Sequence, residues 1–503
     1  MKIKAFNKAL GCLLLFLTTQ IGFNSRVAQA QIKVAPATKT KNICPNQLAA
    51  AVDEVINRPQ YSRVRWGILV QPLYKGQNLY SRDAQKYFIP ASNAKLLTTA
   101  AALQQLGANF RIRTSVYQDG NNVVRVVGRG DPSFSDTQLV ALARQLKAKG
   151  ITQIEKLIAD DSYFQGDIVS PSWEWEDVYS DYGAPVNSLI VNQNVFSIKL
   201  IPQVVGKPLQ VAWTDFSEGR LWQIINQSMT VEEKQPAFIN VTRELSGNVL
   251  RIQGQLAVKA DPLLVQVPVV DPNYYFLRRF RIALAGEKIR LRETVVVSGG
   301  LNQQELAFVE SPLLSDLVME TNQNSNNLYA EALLRAIASL RDAARTPTPR
   351  AIAQPKKPDQ TTVNTALEVL KTTLTQLGVN PTGYVLVDGS GLSRHDLISP
   401  EALVQVLQAM AKTPAASVYR ASLPIAGKSG SLKTRFQNTP AEGIVQAKTG
   451  TLTGVVSLSG YVNNSKYEPL VFSIIVNQSE EKAKALREGV DEIVLLLTQL
   501  QRC

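Results

Sequence analysis

An α+β fold, in which helices flank an antiparallel sheet and a large, mostly β insertion interrupts it, is predicted by three features of the sequence. A strand of apolar residues near the start, Trp66 to Leu73, has natural partners in three strands near the end, at about 443–449, 455–463 and 468–476. Helical patterns stand beside both groups. Between Arg111 and Leu301 the pattern changes to short β-branched runs separated by Gly, Pro and Asn. At 503 residues the chain exceeds one ordinary core, and ~100–200 residues per domain implies two or three. The expected organisation is a leader at 1–30, one sheet-and-helix domain built from 31–110 and 302–503, and the insertion at 111–301.

The leader rests on order. Lys2, Lys4 and Lys8 precede an apolar run from Leu13 to Leu17 that continues weakly to Phe23 and ends at Ala28-Gln29-Ala30. A basic end, a short apolar middle and a small-x-small site form the secretory pattern, with cleavage expected after Ala30. The run falls short of the roughly 20 residues a spanning helix needs, so removal is favoured over a retained anchor. Cys12 precedes most of the run and does not read as a lipidation site. The protein is therefore expected to be exported to the periplasm or cell envelope, with no stable membrane span after cleavage.

In the mature chain, 46–57 reads as a helix and Trp66–Leu73 as the first strand. A further helix begins at Ser92, carries Leu96, Leu97, Ala100 and Leu103, and stops at Gly107. Val123–Val127, Val195–Ile201 and Thr294–Val297 are strands of the insertion. Helical pattern resumes from Ser311 to Leu340 with a polar break at Asn322–Asn326. The Pro- and Lys-rich tract Thr346–Asp359 places a flexible surface loop at 345–360. Helices follow from Thr361 to Leu377 and after Pro400, and a last one spans Ser479 to Leu500. No internal repeat is present.

Composition narrows the function. Hydrophobic content of 45% with 19% charged residues suits a soluble folded chain. The formal charge of +13 drops to +9 once the leader's four cations are removed. Its Lys and Arg are dispersed rather than clustered, which argues against nucleic acid as a partner. After cleavage only Cys44 and Cys503 remain; they either stay free or bridge the two mature ends, as an oxidising compartment permits. An antiparallel sheet with both terminal helices packed on it would bring them together. With His395 the only histidine, a Cys/His zinc site is excluded.

Three short segments carry chemistry. Ser92-Asn93-Ala94-Lys95 starts a helix, so the hydroxyl and the amine stand one turn apart on one face. Serine is a poor nucleophile until a neighbouring base takes its proton, and lysine is a base only when neutral. Moving that amine from ~10.4 to about 7 costs roughly 4–5 kcal/mol, which burial and a nearby cation can impose. Alone, such a pair most often means a capping serine and a solvated lysine. Ser325-Asn326-Asn327 lies between two helical stretches, where a hydroxyl can relay a proton to a leaving amine and a carboxamide can hold Lys95; by itself it is a polar turn. Lys448-Thr449-Gly450-Thr451 lies on a strand able to pair with an extended peptide, Gly450 permitting close approach and Lys448 with Thr449 gripping a terminal carboxylate.

Together, and in this order, the three segments form the set shared by penicillin-binding proteins and class A β-lactamases. Over nearly the whole mature chain the sequence resembles the D-Ala-D-Ala carboxypeptidase/endopeptidases of peptidase family S13. The resemblance is carried by PASNAKLLTTAAAL, GRGDPSF, ADDSYF, SWEWEDVYSDYGAPVNSLIVNQN, NSNNLYAEALLR, DGSGLSRHDLISP and GSLKTRFQNTPAEGIVQAKTGTLTG. It implies a penicillin-binding, β-lactamase-like transpeptidase domain. It further implies Ser92 as nucleophile, Lys95 as base, Ser325 and Asn327 as relay pair, and Lys448 with Thr449 as carboxylate clamp, the amides of Ser92 and Thr451 forming an oxyanion hole. The substrates so implied are peptidoglycan stem peptides ending in D-Ala-D-Ala and bearing diaminopimelate, with β-lactams as covalent inhibitors and no metal or cofactor. Gly391 and Arg394, with Asp160 or Asp161 opposite, are expected to line a pocket for the zwitterionic end of the diaminopimelate side chain.

Asn326 stands where Asp is frequent in the middle motif, a change expected to matter little. The stretch Ser390–Asp396 holds Ser, His and Asp, but no G-x-S-x-G elbow accompanies it, and His395 reads as a loop residue. Trp173 and Trp175 read as packing rather than a sugar platform. The competing functions are a non-catalytic wall-binding scaffold, a β-lactamase and an esterase.

Overall fold

The computed structural model describes residues 42–343 and 361–503, apart from 75, 245, 246, 298 and 300–303. The expected leader at 1–30 and the whole of the expected loop at 345–360 lie outside the described residues. Contacts divide the described chain into two compact units, the smaller made of 199–212 and 222–263 and the larger of the remainder.

The larger unit is organised by a five-stranded antiparallel sheet. Arg65–Pro72 pairs with Leu470–Asn477 on one side and Tyr80–Arg82 on the other; Val455–Val462 and then Val445–Leu452 complete it. Every residue of Val455–Val462 and Leu470–Asn477 is buried. They are mostly apolar on both faces because both faces are covered, with Ser457, Ser459, Ser473 and Asn477 the buried polar exceptions. Alternation divides the first strand between two cores: Ile68 and Val70 pack with Leu48, Val490 and Leu497 of the terminal helices Pro45–Ile56 and Ala483–Thr498. Leu69 packs the other way, with Leu96, Leu97 and Leu103 of the helix Lys95–Leu106.

The chain ends are fastened together. Ile43 N–H donates to Gln499 O at 3.0 Å, Gln501 N–H donates to Ile43 O at 3.1 Å, and Cys44 and Cys503 form a disulfide with Cα atoms 5.8 Å apart.

Between the two halves of that sheet the chain builds a second five-stranded sheet in the order Arg290–Val296, Gln153–Asp160, Val123–Val127, Arg113–Gly120, Glu305–Glu310. The first three strands run parallel. Parallel neighbours need long crossovers, and helices Asp136–Ala148 and Pro272–Gly286, which sequence reading did not assign, lie in the intervening chain. The first was legible: Ser135 and Gln138 form a capping box. In the smaller unit, Val249–Ala257 pairs parallel to Gln223–Val231 and antiparallel to Phe238–Arg243, burying Leu250, Ile252 and Leu256. Among the described residues no helix is long and apolar enough to cross a membrane.

Candidate active site

Ser92 lies in a short 3-10 turn, Ala91–Ala94, leading directly into the helix Lys95–Leu106. The turn is tightly constrained. Ala91 holds φ at +47°, a region non-glycine residues rarely occupy, and Pro90 O accepts from Ser457 Oγ at 2.7 Å. Two glycines let neighbouring chain close on it. A Cβ on Gly391 would lie 2.0 Å from Ala91 O, and one on Gly450 would lie 2.8 Å from Pro90 O. Gly450 thus seats the edge strand Val445–Leu452 against the turn, while Gly391 packs on the turn itself.

Lys95 is fully buried, and its Nζ has three oxygen partners: Ser92 Oγ at 3.0 Å, Asn327 Oδ1 at 2.6 Å and Ser390 O at 2.7 Å. A neutral amine has two hydrogens and one lone pair. The three acceptors match the three hydrogens of the ammonium; once the amine is neutral, donation to Asn327 and Ser390 leaves its lone pair to receive the Ser92 O–H. Burial pushes this amine down to about 7, against the pull of Asp388, Glu331 and Asp396.

Lys448 is also fully buried, donating to Ser325 Oγ and to Thr449 O, both at 2.8 Å. Burial and the nearby Lys95 hold it well below the usual lysine range. Thr449 Oγ1 lies 2.6 Å from Ser431 Oγ, a partner that sequence reading did not single out. Ser325 sits at φ +58°, between helices Leu314–Gln323 and Asn327–Ala343. Asn327 Nδ2 donates to Tyr182 O at 2.9 Å, and Asn326 Nδ2 donates to Gln193 Oε1 at 2.8 Å. The three motifs therefore meet through two buried lysines.

The expected side-chain pocket is arranged differently. Asp160 is buried and accepts from Arg125, Ser162 N–H and Gly299 N–H. Asp161 accepts from the N–H and hydroxyl of Ser188 and from Leu189 N–H. Both carboxylates are occupied in holding loops, and neither is paired with Arg394. Arg394 instead donates to Thr453 O at 3.1 Å and pairs with Glu174 at 3.0 Å. Asp177, pushed up to about 6 by burial and by Glu174, also feels the Arg394 charge. Trp173 is buried and donates from Nε1 to Asp388 at 2.9 Å, the packing role expected of it. Trp175, expected to pack, is 58% exposed and meets Tyr179 edge to face. His395 donates its backbone N–H to Ser393 Oγ. Among the described residues no cluster of His, Cys, Asp or Glu suits a metal ion.

Helices flanking an antiparallel sheet, with a serine–lysine turn facing a lysine-bearing edge strand, define a penicillin-binding, β-lactamase-like fold. The profile of the D-Ala-D-Ala carboxypeptidase 3 (S13) family matches residues 48–500. A penicillin-sensitive carboxypeptidase A of Dictyostelium discoideum is 31% identical over 472 residues, covering 86% of this chain and 87% of the relative. A D-alanyl-D-alanine carboxypeptidase of an Actinomadura species is also 31% identical, over 86% of this chain and 81% of its own length. The crystal structure of penicillin binding protein 4 from Haemophilus influenzae has the same fold, with a TM-score of 0.74 at 23% identity over 89% of this chain and 98% of that one. The chain belongs to this D-Ala-D-Ala carboxypeptidase family and is a serine-type hydrolase.

Proposed function

We propose that the protein removes the terminal D-Ala of peptidoglycan stem peptides through an acyl-enzyme on Ser92. Ser92 Oγ attacks the penultimate D-Ala carbonyl while its proton passes to Lys95 Nζ, and the amides of Ser92 and Thr451 receive the oxyanion. Ser325, hydrogen bonded to Lys448, relays a proton to the departing amine, and D-Ala leaves. Water then attacks the ester, releasing the shortened peptide and restoring Ser92. The arriving substrate carboxylate counters the burial that lowers Lys448 and draws it toward its charged form, so that Lys448 grips the carboxylate, and Thr449, oriented by Ser431, supplies a hydroxyl. When the scissile bond joins D-Ala to the D-centre of a cross-linking diaminopimelate, the same steps make an endopeptidase. On the acyl-donor peptide, Arg394 binds the carboxylate at the free, zwitterionic end of the diaminopimelate side chain, and the acids of the 174–177 loop, in place of Asp160 or Asp161, answer its ammonium. A β-lactam acylates Ser92 because a strained amide beside a carboxylate imitates the peptide terminus. The leader directs this work to the cell envelope.

The observation that carries the reading is the fully buried Lys95 amine, held by Asn327 and Ser390 at 3.0 Å from Ser92 Oγ. Purified enzyme should release D-Ala from a pentapeptide and bind fluorescent penicillin covalently, both abolished in Ser92→Ala. Undiminished labelling of Ser92→Ala would overturn the assignment.

A further inference from the structure

Beneath Lys95 lies a buried carboxylate that the reaction scheme leaves without a task. Glu331 is 1% exposed and stands one helical turn after Asn327 on the helix Asn327–Ala343. Its Oε1 accepts from Gly389 N–H at 2.8 Å and from Ser390 N–H at 2.9 Å; its Oε2 accepts from Arg335 at 2.8 Å. Two of the three oxygens around Lys95 Nζ, those of Asn327 and Ser390, belong to the segments that Glu331 ties together. The loop also lies flush on that helix: a Cβ on Gly389 would come within 2.9 Å of Leu334 Cβ and 3.0 Å of Ala330 O.

We propose that Glu331 is a positioning residue for the catalytic base, fixing the Asn327 and Ser390 acceptors at the spacing that aims the Lys95 lone pair at Ser92. A buried charge is a costly way to join a helix to a loop, since uncharged acceptors could satisfy the same amides. Burial and Asp388 raise the Glu331 carboxyl, while Arg335 and the Gly389 amide favour its charged form; in that form it has a second effect, opposing the burial that would otherwise drive the Lys95 amine lower.

The groups facing Lys95 can be named from each element. Ser92 comes from its own turn, Asn327 and Glu331 (with Arg335) from the helix, and Lys448 from the edge strand. Asp388 and Asp396 come from the loop. Asp396 is pushed well above the carboxylate range by burial and by Asp388. Asp388 accepts N–H groups from Ser390, Gly391, Ser393 and Trp173, which hold the loop's shape. Glu331 alone among these carboxylates bridges the helix and the loop.

The inference rests on Lys95 acting as the base, and two variants of the full chain separate its failure from failure of that reading. The rate of Ser92 acylation by a fluorescent penicillin is measured from about pH 5 to 9, with saturating label counting the folded sites. Glu331→Gln keeps a carbonyl for the two amides but removes the charge. Lys95 then loses its proton more readily, and the acid limb should move to lower pH by roughly one unit. Glu331→Asp keeps the charge but shortens the reach by one methylene, so the limb should stay while the plateau falls by about tenfold or more. A purely structural role lowers the labelled fraction and moves neither quantity per folded site. A Glu331→Asp plateau within about threefold of wild type, or a Glu331→Gln limb that does not move, overturns the proposal and leaves the base assignment standing. Either variant decides alone if the other does not fold. Wild type that never labels would overturn both.

Discussion

Gly391→Ala tests whether the loop Asp388–Arg394 sets the position of the nucleophile. At φ +76°, alanine costs about 1 kcal/mol in backbone strain, a small part of the effect. The larger part is steric. The new Cβ would lie 2.0 Å from Ala91 O and 2.6 Å from Ala91 C, so one backbone must retreat by about an ångström to restore ordinary contact. Ala91 is already held left-handed and immediately precedes Ser92, so its carbonyl cannot move without carrying Oγ away from Lys95 Nζ, now 3.0 Å distant. If the loop retreats instead, the Ser390 carbonyl leaves the lysine. Misplacement on this scale costs on the order of 100-fold in rate. The assay is penicillin acylation above the Lys95 transition, normalised to active sites. Gly378→Ala is the control, with φ at +87° and nothing within 4 Å of its Cβ; it should cost stability and leave the rate unchanged. A Gly391→Ala rate within about threefold of wild type would refute the coupling of loop to nucleophile.

Acylation by wild type should fall about tenfold per pH unit below about 7, where Lys95 takes up its proton; a rate flat down to pH 5 would contradict a lysine base. The same amine bears on stability. Its native value lies below the unfolded ~10.4, so the unfolded state binds the extra proton and stability rises with pH between about 7 and 10.4. Lys95→Met should melt at higher temperature than wild type near pH 7 and lose that part of the pH dependence, as seen by calorimetry. Replacing both Cys44 and Cys503 with serine should cost about 2–4 kcal/mol in a denaturant titration, since the bridge spans 459 positions of sequence.

The sheet was legible because a strand covered on both faces is rich in apolar residues, as Leu470–Asn477 and Val455–Val462 are, the few small polar side chains such as Ser457, Ser459 and Ser473 notwithstanding. The catalytic motifs were legible because each packs its reactive groups into three or four residues. What escaped notice was chemistry shared between distant segments. Glu331 looks like one polar residue of an amphipathic helix, and only its spacing of four from Asn327 marks the inward face. The pairing of Glu174 with Arg394 spans 220 residues and leaves no local trace. Asp160 and Asp161 are hard to read for a related reason: a carboxylate after a strand serves loop amides or a ligand equally well, and here the donors are Ser162, Gly299, Ser188 and Leu189.

The segment Asn192–Asn194 shows how the inserted chain reaches the reaction centre. Three consecutive residues, none of them glycine, hold φ at +49°, +56° and +54°, an arrangement that costs roughly 1–2 kcal/mol per residue for ordinary side chains and less for asparagine. Such a turn persists only where its surroundings over-determine it. Asn192 exchanges hydrogen bonds with Asp136, whose carboxylate also holds Arg279. Asn194 donates to Pro185 O and Asn187, and its own carbonyl accepts from Val269 N–H. Between these two anchors Gln193 receives Asn326 of the middle motif, and Asn326 Oδ1 in turn accepts from Tyr329 N–H at the start of the helix that carries Asn327 and Glu331. The strain sits where inserted chain and the helix Asn327–Ala343 meet, so the insertion takes part in setting the register of Ser325 and Asn327.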